Sequence, residues 1–575
     1  MTAPSPVTLA TGPITIAVTA NGTALPASEQ IVAIDVWTGV NRLPRARLVV
    51  SDGSAGARDF PISDSSLLVP GTAISIALGY AGSTSGIFSG IIQRQGLETS
   101  INGPPRLVVE AVDKAMVMTL ARSNGVFTNM TDSSVIQQLI GDAGLSADVA
   151  STSLSQTSVQ YNATNWDFML MRAQANGMVV IVADGKVSVK APDTSASPVL
   201  TLSFGEAILD FRGDLDAASQ YAASAISSVA WDPVNQQVAK SGAAQASVST
   251  PGNLSSATLA TVFSASPFVQ QAAGPLPAAE LSSWSAAELM MSQMSKLRGS
   301  VRCQGSGLAG PGSMVTLAGL GERFNGNAWV SGVHHRVAEG LWRTTLELGL
   351  SPDWFAAAAN RIPAPPAAGL LPPVHKLQPA TVKQIDQDPD GAVRVLVMLP
   401  LLQASDGVWA RLATPYASNG FGFFFYPEIG DEVLVGFPGG DPRFPVVLAS
   451  LHSKNRQPPF QPEAQNNTKS ITTRSKLHLD FLEDSKTIQL VTPGNQKIVI
   501  NDTEKSIVIS DMNGNSLTLG SSGIDIKSSG SITMTATGSI TISADSSLSA
   551  SGSASAELKS TGTVQVKGAL VALNP

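Results

Sequence analysis

The sequence has a single cysteine, Cys303, so no disulfide can form within the chain. That excludes the small secreted scaffolds held together by bridges. A lone thiol of this kind reads as a small buried hydrophobe, not a reactive group. Charged residues are also scarce, at 14% against about a quarter in an average soluble protein. The formal net charge is −7 and no Lys/Arg-rich tract occurs, so no nucleic acid partner is expected. No run of about 18 uninterrupted apolar residues exists, and no transmembrane helix is expected. The opening MTAPSPVTLATGPITIAV has no basic stretch leading into an apolar core, so no secretory signal is expected either. Histidine is rare. The five are His334, His335, His375, His452 and His478, and the adjacent His334 and His335 would point to opposite faces of a strand. No His-x-His or Cys pair lies near the C-terminus to hold a metal there.

Glycine (51) and proline (36) are plentiful, and short runs alternate apolar with polar residues. This is the pattern of β-structure with many turns. In residues 1–120, PITIAVTA, RARLVVSD, AISIALGY and RLVVEAV read as strands of a barrel or curled sheet. TDSSVIQQLIGDAGL predicts a helix capped by Thr131 or Asp132 and stopped near Gly144. Further helices are expected over 165–177 and 278–298, with strands between and after them. FSGIIQR (88–94) and VSGVHHR (330–336) share the frame Ser-Gly-apolar-x-x-Arg, a short internal echo. RIPAPPAAGLLPPVHKL is too proline-rich for helix or central strand and reads as a linker over 361–378. Residues 379–455 then carry short, evenly spaced strands of an OB-like barrel, with Val393, Val395, Val397 and Leu399 on one face. A connector, 456–470, leads to a repeat over 471–575.

The repeat tightens to eight residues after Gly523. One column reads Ile524, Ile532, Ile540, Leu548, Ala556, Val564; the other reads Ile526, Met534, Ile542, Ala550, Leu558, Val566. Apolar residues at i and i+2 share one face of a strand, and Gly530, Gly538 and Gly562 stand at the turns. One strand and one turn per octad make one side of a β-solenoid. A chain winding alone would give a stub of about four layers, about 20 Å long. Three intertwined chains would give a rod of about 50 Å, with backbone hydrogen bonds running between chains. Two acid runs, DQDPDG (386–391) and GDLD (213–216), read as turns; the first lacks the Glu that a calcium-binding EF-hand loop places after its glycine. GFGF and FPGGDP lack a following Lys-Ser/Thr, so no phosphate loop is predicted. No catalytic, cofactor-binding or metal-binding residue is predicted, and an enzyme is not expected.

YPEIGDEVLVGFPGGDPRFPVVLASLHSKNRQPP (426–459) resembles the barrel of VgrG-type spike proteins and the related phage tail spikes. The likeness is carried by Pro427, Gly430, Asp431, Glu432, Val433, Gly436, Phe437, Gly440, Asp441, Pro442 and Pro445. VNRLPRARLVVSDG (40–53) and VPGTAISIALGY with IFSGIIQRQGLE (69–98) are similar to the hub portion of such proteins, closer to extracellular contractile injection systems of the antifeeding-prophage type than to type VI secretion spikes. VKGALVALNP (566–575) looks like the blunt tip on which a PAAR-type cap sits. The resemblance implies a mainly β homotrimer with a few helices. Its parts would be a hub with two related β-barrels and helical insertions (1–360), the OB-fold-like barrel, and a C-terminal triple-stranded intertwined β-helix.

The implied needle core is Ile524, Ile526, Ile532, Met534, Ile540, Ile542, Leu548, Leu558, Val564 and Val566. The implied tip contacts are Ala569, Leu570, Val571, Ala572, Leu573, Asn574 and Pro575. The implied partners are an inner tube protein, baseplate proteins, a PAAR-type tip protein, effector cargo and, transiently, a target membrane. Such particles assemble in the bacterial cytoplasm and are released or fired into a target cell. Only about twenty residues separate barrel from needle, too few for a lysozyme domain of the kind some phage relatives carry, and no effector domain is expected after the tip.

Overall fold

The computed structural model describes residues 3–25, 30–263, 267–402 and 406–573. The chain divides into two compact units, Met1–Leu370 and Leu371–Pro575, parting inside the proline-rich segment.

The first unit is organised around one 13-stranded sheet. Besides the two-residue strand Thr23–Ala24 that edges β1, its first half comprises β1 (Ile14–Ala20), β2 (Ile31–Gly39), β3 (Arg45–Ser51), β4 (Ala73–Tyr80), β5 (Ser83–Ser100) and β6 (Gly103–Val112). They lie side by side in the order β1-β4-β5-β6-β3-β2. Its second half comprises β7 (Leu200–Ser203), β8 (Ile208–Leu215), β9 (Leu297–Gln304), β10 (Met314–Ala318), β11 (Gly326–Ala338) and β12 (Leu341–Leu348). Their order is β7-β10-β11-β12-β9-β8, the same path repeated. The outermost pair differs: β1 runs antiparallel to β4, whereas β7 runs parallel to β10. Each half has its own apolar core. Ile34, Leu48, Ile76, Leu107 and Val109 fill the first, and Leu200, Val301, Cys303, Val315 and Leu346 the second.

The two halves correspond in detail. The strand pair β2–β3 bulges between Ile31 and Ala33, and β8–β9 between Ile208 and Asp210. The pair β5–β6 bulges between Ile92 and Arg94, and β11–β12 between Val330 and Gly332. Just before each bulge the strand exchanges backbone bonds with a Pro-Gly-Thr or Pro-Gly-Ser turn. Ile92 bonds Gly71 and Thr72, and Val330 bonds Gly312 and Ser313. Both turn glycines have positive φ, +98° and +88°, which an L side chain adopts only with strain. The bulges therefore match Ile92 with Val330, and place the Ser-Gly-apolar-x-x-Arg echo four residues out of register. The echo falls on corresponding strands, but it is the Pro-Gly turns that mark the repeat.

Helical insertions interrupt both halves. α1 (Asp132–Asp142) is capped by the Thr131 hydroxyl, which accepts from the Ser134 N–H, and α2 (Asn165–Ala175) by Thr164 in the same way. Both serve the capping role that their hydroxyls suggest. α3 (Ala278–Met294) ends four residues earlier than its periodicity predicts. Lys296 turns inward instead and donates to the carbonyls of Pro251 and Leu254, at 2.7 and 2.9 Å, which satisfies a buried ammonium. Arg172 on α2 ties the three helices together, reaching Asp132 at 2.7 Å and Glu280 at 3.0 Å. GDLD, expected as a turn, lies largely within β8, because its alternation continues that of the strand.

The second unit contains a closed barrel of β13 (Gln378–Gln384), β14 (Val395–Met398), β15 (Val408–Leu412), β16 (Glu432–Gly436) and β17 (Val446–Ser450). Val382, Val395, Val397, Val433, Val435 and Val447 are fully or almost fully buried inside it. Val393, expected on that face, is exposed and has φ +60°. It belongs to the turn clamped by Asp388, whose carboxylate accepts from the N–H groups of Asp390, Ala392 and Arg394 and from the Arg394 guanidinium.

After the barrel come seven five-residue strands: β18 (Thr468–Thr472), β19 (His478–Leu482), β20 (Thr487–Val491), β21 (Lys497–Asn501), β22 (Ser506–Ser510), β23 (Ser516–Gly520) and β24 (Gly523–Lys527). Each pairs antiparallel with the next, in sequence order, as one meander. This departs from the expected architecture, in which three chains intertwine from residue 471 onward. Here the turns are short enough for one chain to fold back on itself, and its hydrogen bonds run within the chain. No regular strand is formed over 528–573.

Candidate functional site

The motif that carries the barrel resemblance proves to be scaffolding. Gly430 has φ +86°, and a Cβ there would meet the Arg456 guanidinium at 2.6 Å. Asp431 accepts from Arg456 at 2.5 Å and from the Glu428 N–H at 2.9 Å, pinning the segment after the barrel to the turn before β16. Glu432 and Gly436 bound β16 itself. Asp441 accepts from the Arg443 N–H and guanidinium, and that guanidinium holds its carboxyl below the usual carboxylate range. Gly440, with φ +75°, and Pro442 shape the same turn. These residues fix loops, and no group of three or more His, Cys, Asp or Glu side chains among the described residues is placed to hold a metal.

His334, His335 and Cys303 are held in structural contacts. His334 stacks on Trp37 and meets Asp35 at 2.8 Å, while His335 faces inward, 3.0 Å from the Thr344 hydroxyl. Burial pushes His335 down to about 3, with the neighbouring His334 adding to the effect. Burial pushes the Cys303 thiol up to about 12, which removes its thiolate chemistry at neutral pH.

The meander presents a different kind of surface. Cross-strand register aligns Ile471, Leu479, Leu490, Ile498, Ile509, Leu517 and Ile526 in one row. A second row runs Phe481, Ile488, Ile500, Ile507, Leu519 and Ile524. Both rows lie on one face, two residues apart on each strand from β19 onward, with Lys469 at the second-row position of β18, and most of these side chains remain open to solvent. Leu490 is 49% exposed, Ile498 41% and Ile500 45%, against 0% for Val433 and Val435 in the barrel. Of the predicted core residues only Ile524 and Ile526 belong to these rows. The others were legible from the alternation in TIQLV, KIVIND, SIVIS and SLTLG, but the octad count begins too late to include them.

Ile532, Met534, Ile540, Ile542, Leu548, Leu558, Val564 and Val566 continue the columns along the extended chain, and all are exposed. One chain does not bring them together. Ala569, Leu570, Val571, Ala572 and Leu573 are exposed as well; Asn574 and Pro575 lie outside the described residues. A further apolar feature escaped the sequence reading. Phe421, Phe423, Phe424 and Phe425 all project from the barrel into solvent, signalled only by the phrase GFGFFFYP.

Comparison with known proteins fixes the context of these surfaces. The family described as "Alg8 N-terminal domain" matches residues 10–339, more than half of the chain. The chain belongs to that family. Residues 378–452 match a second family, the "Type VI secretion system/phage-baseplate injector OB domain". The VgrG-type resemblance is upheld. The spike protein VgrG5 of Pseudomonas aeruginosa is 38% identical over 116 residues, 19% of this chain and 14% of its own length. VgrG1b of the same organism is 27% identical over 196 residues, 31% of this chain and 25% of its own. The chain thus spans at most a quarter of either relative. Among solved structures, a tail protein from Neisseria meningitidis MC58 aligns with a TM-score of 0.44 at 14% identity, covering 60% of this chain and 99% of that one. In this chain the stretch that matches the Alg8 N-terminal domain family is followed by one that matches the injector OB domain, and the exposed apolar rows come after both.

Proposed function

We propose that the chain is a non-enzymatic spike and hub subunit of a contractile injection system and acts as a homotrimer. The observation that carries this reading is the C-terminal stretch. A sheet with an uncovered apolar face runs into an extended segment whose apolar pairs and backbone groups find no strand partner among the described residues. Backbone N–H and C=O groups pair almost without exception once removed from water. Three copies supply what one lacks. The three meanders form the walls of a prism with both rows inside, and beyond Lys527 the three chains intertwine, stacking strands about 4.8 Å apart.

Such a needle is stiff because each layer is hydrogen-bonded and its core is dry. Contraction of a sheath would supply the force, and the narrow end would concentrate it on a target envelope. In this reading the hub docks on the inner tube and baseplate proteins. Ala569–Leu573 and the two residues after them seat a PAAR-type cap, with effector cargo carried at the tip or in the tube. The particle assembles in the cytoplasm, and its contact with a target membrane is transient. Among the described residues no helix is long and apolar enough to cross a membrane.

Light scattering of the purified protein tests the proposal. A mass of about 180 kDa, three times the 59.3 kDa chain, supports it, and a monomer at all concentrations counts against it. A second reading, a type VI secretion VgrG spike, is favoured by the relatives of the barrel. Recovery of the chain from the culture medium inside intact sheathed particles would decide for a free extracellular particle. Its retention in a cell-anchored apparatus would decide for type VI secretion.

A further inference from the structure

The duplicated halves of the first unit are joined by a strand pair. The distal part of β11 lies antiparallel to β2, with Gly332 opposite Gly39, Arg336 opposite Asp35 and Ala338 opposite Ala33. By the matching bulges, the distal part of β5 corresponds to the distal part of β11, and β8 corresponds to β2. Neither counterpart has a partner on that edge among the described residues. β4 covers β5 only as far as Ile91, with the Gly71–Thr72 turn extending the pairing to Ile92, and β8 pairs only with β9 from Asp210 onward, an isolated bridge to Phe204 touching its first residue, Ile208. An open edge is a template for another strand.

We infer that β8 of one copy pairs antiparallel with residues 94–100 of β5 in a second copy, repeating between chains the joint that β2 and β11 make within one. This rests on the three-chain reading above and deepens it. Carrying the register across sets Arg94 opposite Asp216, Leu97 opposite Gly213, Glu98 opposite Arg212 and Ser100 opposite Asp210. Two of these pairs are of opposite charge. Glu98 and Arg212 are both largely exposed in the single chain, held only by long same-chain contacts to Arg47 at 3.4 Å and Asp214 at 3.5 Å. Leu97, exposed and on the core face opposite Leu107, would lie over Gly213, beside the Phe211–Phe324 pair. The Phe211 ring already fills the side-chain face of that glycine, 2.7 Å from where a Cβ would sit, so Leu97 would pack on the ring.

The signs also decide which joints form. Within the chain, Arg336 on β11 faces Asp35 on β2; between chains, Glu98 on β5 would face Arg212 on β8. The position is the same and the charges are exchanged. Crossing the partners would set Arg336 against Arg212, or Glu98 against Asp35, and like charges directly opposite each other are unfavourable. The joints must therefore alternate, one within a chain and one between chains. Because β5 and β8 are different surfaces, the contact is head-to-tail, and such contacts close into a ring when the rotation allows. Three copies would give six halves around it.

Cysteine cross-linking tests the register. A chain carrying both E98C and R212C should oxidise largely to covalent trimers on a non-reducing gel, while either single variant should migrate as one chain. E98C with D214C, two residues out of register, should cross-link far less. Cys303 is buried and stays out of the reaction. A particle that keeps its threefold mass but cross-links no better in register than out of it would overturn the pairing and leave the trimer standing. A wild-type mass of one chain would overturn both. As a second measurement, E98R should raise the concentration needed for assembly by about fivefold, and E98R with R212E should restore it; no rescue would again refute the pairing.

Discussion

The barrel over 378–450 and the meander over 468–527 are made of strands of similar length with the same apolar alternation, yet they handle their apolar faces in opposite ways. In the barrel, β13 pairs with both β14 and β16, and β15 pairs with β17, so the sheet returns to its starting strand and its valines are sealed inside. In the meander every strand pairs only with its sequence neighbours, and nothing returns to cover the face. Closure therefore depends on pairing between strands distant in sequence. The alternation that serves as a core in one region is an assembly surface in the other.

The sharpest way to break this contrast is a charge in the uncovered row. Ile500→Asp would place three carboxylates in the dry centre of the prism, each costing several kcal/mol without a partner. Light scattering should then show the mass fall from about 180 kDa to that of one 59.3 kDa chain, with the barrel still folded. Truncation after Lys527 should act less severely. The three meanders still have a shared core, so the threefold mass should persist while the thermal midpoint drops by several degrees.

Within the barrel, Val433→Ala removes two buried methyl groups and should cost about 2 kcal/mol in a denaturant titration, independent of protein concentration. Concentration dependence there would mean that the barrel, too, relies on its copies. The smallest effect concerns pH. His335 is neutral in the folded state with its value held down to about 3, whereas the unfolded chain takes up a proton near the ordinary histidine value of about 6.5. The unfolded state then binds more protons, so stability is fully present above about 6.5 and falls as pH drops toward 3. The loss is at most about 1.4 kcal/mol per pH unit. Denaturation midpoints at pH 7 and pH 5 should show it, and His335→Gln should flatten that difference.

Much of the chain could be read locally. The helix starts at Thr131 and Thr164, the barrel strands and the octad columns are all set by short-range pattern and capping. Other features could not. Val393 fits the alternation of its strand, but a carboxylate clamp five residues earlier places it in a turn. The end of α3 is lost because Lys296 finds two carbonyls more than forty residues upstream. The duplication in the first unit left a misleading trace in Ser-Gly-apolar-x-x-Arg, while its true markers, two bulge pairs and two Pro-Gly turns, show as equivalent only once strand order is known.

By itself the sequence determined which residues are apolar, how they alternate and where the chain can turn, since strand faces, caps and turn conformations depend on nearest neighbours. It also carried, in the 426–459 motif, enough detail to place the barrel among injector OB domains. Only the tertiary structure decided that two sets of six strands share one path, that the barrel closes while the meander does not, and that the edges of β5 and β8 stand open. Those facts follow from pairings between residues tens to hundreds of positions apart, which no local pattern encodes.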